Sequence, residues 1–425
     1  MTIRRRRLAA SAMAMAATTL LAACGGAEPS GDDDATGKIT YFTFSAAPDH
    51  LADLEAIKAE FERQNPGITV EVQTAAFTDY FTKLQTAVAG GTAPDTFELN
   101  YENFVTYARS GALLPLDDLA QADSDYDPSR VYPKALEAFT LDGQLYAMPS
   151  TFSTVVLFYN KALFDAAGLD YPTADWTWED EWEAAQRLTD RDNGIYGDFQ
   201  PVTFHEFYKV LAQNGGSFLS PDGKRATFND AKGVEAAEWL LRKPGAVQPT
   251  LAEIGGTADY DTALFKSGKL AMWHNGIWQI AGLAATEGLD FDIVTEPGNT
   301  TKANAVFMNA TAVSAQTRKA TAAWKWVRFL STSAKTVETR LASNWELPAV
   351  NDPAAFDTYL KQTPPANRQA VFDALENIAL PPVIKEQQSK MQDIVTQALQ
   401  KAATGEVSIQ EALDEAADEV NALLS

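Results

Sequence analysis

The chain predicts an α/β fold divided into two lobes, and three observations carry that expectation. Strand-like and helix-like stretches alternate from Ile39 to Leu99, which is the pattern of helices packed on a mostly parallel sheet. The 425 residues, even without a leader, exceed what one ordinary hydrophobic core serves. Long apolar strands are interrupted by polar or proline-bearing breaks near Pro149, Met308 and Trp345, where a chain crossing between two bodies could bend.

The N-terminus sets the compartment. Arg4 to Arg7 form a basic region, Leu8 to Ala23 is an apolar run too short to span a bilayer as a helix, and Leu21-Ala22-Ala23 precedes Cys24. This resembles a bacterial lipoprotein signal, which implies that residues 1–23 are removed and that Cys24 carries the lipid. Arg5-Arg6-Arg7-Leu8 also suits a twin-arginine leader, so two export routes stay open. Cys24 is the one cysteine, so an internal disulfide is excluded. Loss of the leader removes four arginines and no acids, which takes the formal charge from −23 to −27. That balance disfavours nucleic acid and anionic membrane surfaces as partners. Gly25 to Gly37 has no apolar pattern and reads as a tether of roughly 20 Å. The run from Asp32 to Asp34 within it reads as solvated charge.

Ile39 to Phe44 reads as the first strand, and Leu51, Leu54, Ile57 and Phe61 share one face of the helix that follows until Asn65-Pro66-Gly67. Ile68, Val70 and Val72 alternate with polar residues as a second strand. Phe77, Phe81, Leu84 and Val88 return to helical spacing, and Thr96 to Leu99 is a third strand. Ligands of such sheets sit beyond the strands' carboxyl ends. Those ends are Ser45 to Asp49, Ala75 to Phe77 and Asn100 to Asn103.

Leu145 to Lys161 is uncharged until its last residue and reads either as a core strand with an edge proline or as a crossing between lobes. Thr177 and Asp180 form a variant capping box for a helix with Trp178, Trp182, Ala185 and Leu188 on one face. Asp190 to Gly194 reads as a turn, because its glycine falls one position early for a calcium loop. Phe204 to Leu211 and Gly233 to Leu241 are helical, and Asp261 is expected to cap a short helix ending at Lys266. Gly268 to Trp278 reads as a buried strand entering Asn275-Gly276, with a helix starting near Trp278. An indole, an amide side chain and helix-start donors side by side suit a polyol, and a plain strand-to-helix turn is the alternative. Ala305 to Ser314 is a strand of mixed polarity, Thr321 to Leu330 a helix burying Trp326, and Asn344 to Pro348 a loop. The last helix carries Ser408 and Glu411 as its capping box and Leu413, Ala416, Val420, Leu423 and Leu424 on its face.

Phe61-Glu-Arg-Gln-Asn-Pro-Gly-Ile68, Ala93-Pro94-Asp95, Ser110-Gly-Ala-Leu-Leu-Pro-Leu116, Asp142 to Pro149, Phe158 to Lys161 with Phe164 and Gly168, Trp176-Thr177-Trp178-Glu179 and Gly268 to Trp278 occur in an order and spacing that resemble the extracellular solute-binding proteins, family 1, of ABC importers, the maltodextrin-binding class. The resemblance covers nearly the whole chain. It implies a type II periplasmic-binding-protein-like fold with crossing hinge segments and a ligand cleft. It also implies one lobe from 38–151 plus 306–344 and another from 152–305 plus 345–425, with 24–37 as lipidated tether. The implied role is capture of a mono- or oligosaccharide by cleft closure and delivery to permease transmembrane subunits. The implied protein is a monomer held outside the membrane by its lipid, with no catalysis, cofactor or metal.

Carried over by position, Asn100, Tyr101 and Glu102 lie on a first-lobe contact loop, and His205 falls where an aromatic stacks on sugar. Asn275 and Trp278 lie on the second-lobe sugar loop. Phe44, Ser45, Asn309 and Trp345 are further candidates. Ser153 stands where maltodextrin binders hold a carboxylate, a departure that argues against a maltodextrin ligand. Two other readings need different chemistry. A secreted glycosidase needs a carboxylate pair, and Glu98, Glu102 and Glu296 are available without a spacing that selects two. A metal protein needs clustered ligands, and His50, His205 and His274 are scattered.

Overall fold

The strand with the break is the spine of the molecule. The computed structural model describes residues 34–45, 48–257, 259–344, 346–384 and 387–424. The leader, Cys24, most of the tether and Trp345 lie outside the described residues. The strands used below are β1 (Gly37–Thr43), β2 (Ile68–Thr74), β3 (Thr96–Asn100), β4 (Ala147–Asn160), β5 (Met272–Gly276), β6 (Phe291–Val294), β7 (Asn304–Val313), β8 (Leu347–Pro348) and β9 (Ile378–Ala379). They form one nine-stranded sheet among the described residues, in the order β8-β4-β7-β3-β1-β2, with β5 and β6 on β4 and β9 on β7.

β1 runs parallel to β2 and β3, as expected for strands joined by helical crossovers. At about 3.3 Å per residue, the 14 residues of β4 extend roughly 46 Å, enough to serve two bodies. Its first part, Ala147 to Thr154, pairs antiparallel with β7, and its second part, Val155 to Asn160, pairs with β5 and β6. The register against β7 shifts between Pro149 and Thr151, because a proline has no N–H to give the ladder. On β7, Asn304 and Ala305 pair with β9 and the residues from Val306 onward pair with β4. Both long strands therefore change partners along their length.

The main helices are α1 (Pro48–Gln64), α2 (Phe77–Ala89), α3 (Tyr101–Arg109), α4 (Trp178–Leu188), α5 (Phe204–Gln213), α6 (Ala231–Leu241), α7 (Tyr260–Lys266), α8 (Ala320–Thr332), α9 (Ala334–Ser343), α10 (Gln388–Ala403) and α11 (Ile409–Leu424). α1 and α8 close one face of β1 and β2 through Leu54, Ile57, Phe61 and Trp326. Trp326 is fully buried against the edges of Tyr41 and Phe61. A second core gathers α5, α6, α10 and α11 around Phe204, Phe207, Trp239, Met391 and Leu413. No helix among the described residues is long and apolar enough to cross a membrane.

Two local expectations change. Asp259, in the left-handed region, holds the N-cap position of α7, and Asp261 lies inside the helix, where its carboxylate accepts the Trp273 indole N–H at 3.0 Å. A buried indole needs an acceptor, and that need outweighs capping. Trp278 lies in a single 3₁₀ turn, Ile277–Gln279, before the next helix begins at Ile280. The Thr177–Asp180 capping box is present in both directions.

Candidate functional site

The ends of β3 and β5 lie against the interior of β7 and β4, Asn100 opposite Asn309 and Gly276 opposite Val155, and several of the candidate residues stand there. Asn100 ends β3 and caps α3, its Oδ1 accepting from the Asn103 backbone at 3.2 Å and side chain at 2.9 Å. That cap fixes the first turn of α3 and buries Glu102. Glu102 then reaches the other half of the molecule, accepting from His205 Nε2 of α5 at 3.1 Å and from Gln392 Nε2 of α10 at 3.1 Å. Burial opposes protonation of His205, but the Glu102 hydrogen bond and charge, with Glu206 nearby, hold its pKa above the ordinary 6.5.

The apolar part of the region is an aromatic surface. The Phe307 ring on β7 lies 5.8 Å from the His205 ring and 5.7 Å from the Trp278 ring. Trp278 is 37% exposed, an uncommon state for an indole on a folded body. Gly276 lets it lie there. A Cβ at that position would fall 1.9 Å from the indole, so the ring rests directly over the backbone. Asn275, at the end of β5, turns its Oδ1 to the Gly276 N–H at 2.7 Å.

The remaining candidates are placed differently. Phe44 packs edge-on against Phe77 and Tyr80, and Ser45 is buried beside Thr43. Tyr101 sets its ring edge-on to Phe139. Ser153 is buried on β4 with its hydroxyl unpartnered. Asn309 donates to Glu346 Oε1 at 2.9 Å and faces Thr151 at 3.4 Å, which links β7, β4 and the approach to β8. Trp345 is outside the described residues. Phe307, Gln392 and Glu346 were not among the sequence candidates. Phe307 alone had a readable signal, a large aromatic in a strand otherwise rich in small and polar residues.

The three acids available to a glycosidase each enter a different network. Glu98 is buried on β3, accepts from the Thr43 hydroxyl, and has its pKa pushed up to about 7 by burial and by the neighbouring Glu346 charge. Glu346 is raised as well, chiefly by burial. Glu102 serves His205 and Gln392, and Glu296 serves Lys209 and His274. His274 is not isolated as its sequence position suggested. Its donor atoms lie within 4.8 Å of those of Glu181 and Asp198, and likewise of Glu206 and Glu296. The Lys243 and Lys209 ammonium groups already sit on those carboxylates at 2.5–2.7 Å, supplying the positive charge a metal would bring. A cavity of about 710 Å³ lies elsewhere, between α1, α8 and α9, lined by Glu60, Arg130, Arg328 and Lys335 and by none of the candidate residues.

Residues 47–336 match the family described as bacterial extracellular solute-binding protein. The chain belongs to that family. Among solved structures, this solute-binding protein is similar to an ABC substrate-binding protein from Listeria monocytogenes in complex with cycloalternan. The TM-score is 0.86 at 44% identity, over 91% of this chain and 98% of that one. It also shares its fold with the cyclic alpha-maltosyl-1,6-maltose binding protein from Arthrobacter globiformis, with a TM-score of 0.72 at 22% identity, over 92% and 99% of the two chains. Among curated relatives, it is 23% identical to a maltotriose-binding protein of Pyrococcus abyssi, over 71% of this chain and 64% of that protein. It is 25% identical to a maltodextrin-binding protein of Bacillus subtilis, over 56% of each. The match thus spans less than two thirds of either relative. The fold of the solute-binding protein is the two-lobed type II arrangement of these sugar-binding neighbours.

Proposed function

We propose that this protein is the substrate-binding lipoprotein of an ABC importer, that it captures a carbohydrate between its lobes, and that it passes the sugar to a membrane permease without chemical change. The observation that carries the reading is the aromatic surface of His205, Phe307 and partly exposed Trp278 beside the hydrogen-bonding groups of Glu102 and Gln392. A sugar presents apolar ring faces and many hydroxyls, so it asks for aromatic platforms and for donors and acceptors together. A micromolar constant corresponds to about −8 kcal/mol, and one hydrogen bond nets about 0.5–1.5 kcal/mol. Several polar contacts must therefore act with an aromatic one.

Trp278 is the stacking platform in this reading, with Asn100, Tyr101, Glu102, His205 and Asn275 around it. Phe44, Ser45, Ser153 and Asn309 belong to the floor or rim, and Trp345 is a further ligand contact by the family resemblance alone. Residues 38–151 with 306–344 form one lobe and 152–305 with 345–425 the other. Closure removes water and selects the liganded state that the permease distinguishes. Residues 1–23 are a leader, Cys24 carries the lipid, and the body works as a monomer outside the cell membrane.

A thermal-shift screen of residues 25–425 tests the proposal, starting with cycloalternan, the ligand of the Listeria relative, and extending to mono- and oligosaccharides. Ligand at a hundredfold excess over its dissociation constant adds about 2.7 kcal/mol of stability. A shift with one sugar class, followed by stoichiometric calorimetry without product, supports the proposal. Absence of any shift, or sustained turnover of a glycoside, overturns it. Radiolabelled lipid incorporation lost in Cys24→Ser tests the anchor.

A further inference from the structure

The second lobe contains a closed ring of buried charged and amide side chains that the sugar contacts do not use. His274 Nδ1 meets Glu296 Oε1 at 2.6 Å, and Lys209 donates to the same oxygen at 2.5 Å and to Glu206 Oε2 at 2.6 Å. Gln200 donates to Glu206 at 2.9 Å and accepts from Lys243 at 2.6 Å. Lys243 donates to Glu181 Oε1 at 2.5 Å and to Asp198 Oδ2 at 2.7 Å, and Glu181 returns to His274 Nε2 at 3.1 Å. Every member is less than 9% exposed. Each imidazole nitrogen faces a carboxylate, so both carry a proton and His274 is a cation.

The ring touches the three segments of the aromatic surface. Glu206 and Lys209 follow His205 on α5, and His274 precedes Asn275 to Trp278 at the end of β5. The Glu296 backbone N–H is held by Asn304 Oδ1 at 3.3 Å, at the start of the strand that carries Phe307. A buried ion pair contributes little net stability against an apolar replacement but penalises any geometry that separates its charges. A ring of them ties its elements to one mutual arrangement.

We infer that this ring is a positioning device, which locks α5, the β5 loop and β7 so that His205, Trp278 and Phe307 form one preorganised ligand surface. The inference rests on the reading of that surface as the ligand site. Burial disfavours the His274 charge, but Glu181 and Asp198 outweigh both burial and Lys243 and hold its pKa at about 9. Its contribution is therefore complete below the unfolded value near 6.5 and is lost as pH rises through about 9. The charged groups facing it are Glu181 of α4, Asp198, Glu296, Glu206 and Lys209 of α5, the latter on the same Glu296 oxygen, and Lys243 beyond the end of α6.

Hydrogen exchange on the ligand-free protein tests the device without any sugar, with Glu296→Gln and the uncharged double variant Glu296→Gln/Lys209→Met as the perturbations. Peptides covering 203–209, 274–280 and 304–309 should exchange at least tenfold faster, in step, while the β1–β2 region keeps its wild-type protection. Unchanged exchange in all three, or loosening of one alone, overturns the inference. The second variant leaves no unpaired lysine, so it serves if the first fails to fold. Calorimetry with the sugar found in the screen gives a second reading. The wild-type dissociation constant should rise about tenfold more from pH 7 to pH 10 than that of His274→Gln, a comparison in which the His205 titration cancels, whereas a ring that only stabilises the fold would move the melting temperature and leave the two pH profiles parallel. If no sugar binds, the proposed function falls, and the exchange data still decide the ring.

Discussion

Replacing Glu98 by glutamine should make the protein more stable at pH 8. Glu98 is 1% exposed, on a strand flanked by β1 and β7, with the Glu346 charge close by. Its ionised form has help from Thr43, Arg340 and the Phe44 backbone, but burial and Glu346 prevail and raise its pKa from 4.5 to about 7. Because Glu346 is raised too, the pH near 7 belongs to the pair. The folded state binds this proton more tightly than the unfolded chain does. Its stabilising effect is therefore complete below about 4.5 and is lost as pH rises through about 7.

At 1.36 kcal/mol per pKa step, the difference between 4.5 and about 7 amounts to roughly 3 kcal/mol. Glutamine keeps the shape and the acceptor for Thr43 and cannot ionise. Urea denaturation at pH 5 and pH 8 provides the assay. Between those values the wild type should lose about 2.5 kcal/mol more than Glu98→Gln, with the two proteins within about 1 kcal/mol of each other at pH 5. Groups that do not interact with Glu98 cancel in that comparison, and Glu346 is counted with it as one pair. Parallel curves for the two proteins would refute the argument, as would a Glu98→Gln protein less stable than wild type at pH 8.

Gly276→Ala should separate binding from stability. The backbone there has φ −84°, which alanine adopts freely, but its Cβ would displace the Trp278 ring. Sugar affinity should fall at least tenfold with a melting temperature near that of the wild type, as read by calorimetry and thermal scanning. Trp326→Ala empties a fully buried site between Tyr41 and Phe61, and denaturation should show a loss of about 3–5 kcal/mol. The contact of Glu102 with His205 should depend on pH. The His205 pKa is raised, so the contact is strongest below 6.5 and weakens as pH rises through the folded value. Small-angle scattering of ligand-free protein should show expansion between pH 6 and pH 9, and Glu102→Gln should abolish it.

The strands and helices were legible because their apolar periods are regular. Ile68, Val70 and Val72 alternate, Leu54, Ile57 and Phe61 recur at helical spacing, and the structure puts both sets on one core. Asp261 was misread as a cap because local sequence shows a capping residue but not the indole of Trp273, which reaches it from another element. Within the site, Trp278 was legible from a loop chemistry that is contiguous in sequence. Phe307 left only the trace of a large aromatic in a strand of small and polar residues, and Gln392 and Glu346 left none, because their partners lie far away: Gln392 meets Glu102 across 290 residues. The charged ring had no sequence signal for the same reason. Its acids and lysines come from segments far apart in the chain, with 62 residues between Glu181 and Lys243 and 87 between Lys209 and Glu296.

The two networks divide the work between the halves of the molecule. On one side, Thr151 of β4, Asn309 of β7 and Glu346 before β8 meet in a single polar cluster, so the two long strands that exchange partners are joined to the short β8 at that cluster. That cluster holds the Glu346 carboxyl, with Glu98 close by, and both charges are unfavourable where they sit, so such a junction has little stability to lose when it rearranges. On the other side, the ring around His274 pairs nearly every charge it buries, and a rearrangement there would strand ions in a low-dielectric interior. Under the proposed function, that contrast assigns the compliant groups to the junction and the rigid ones to the aromatic surface. The polar groups that cannot tolerate displacement lie behind the platform, and those that can lie at the crossing.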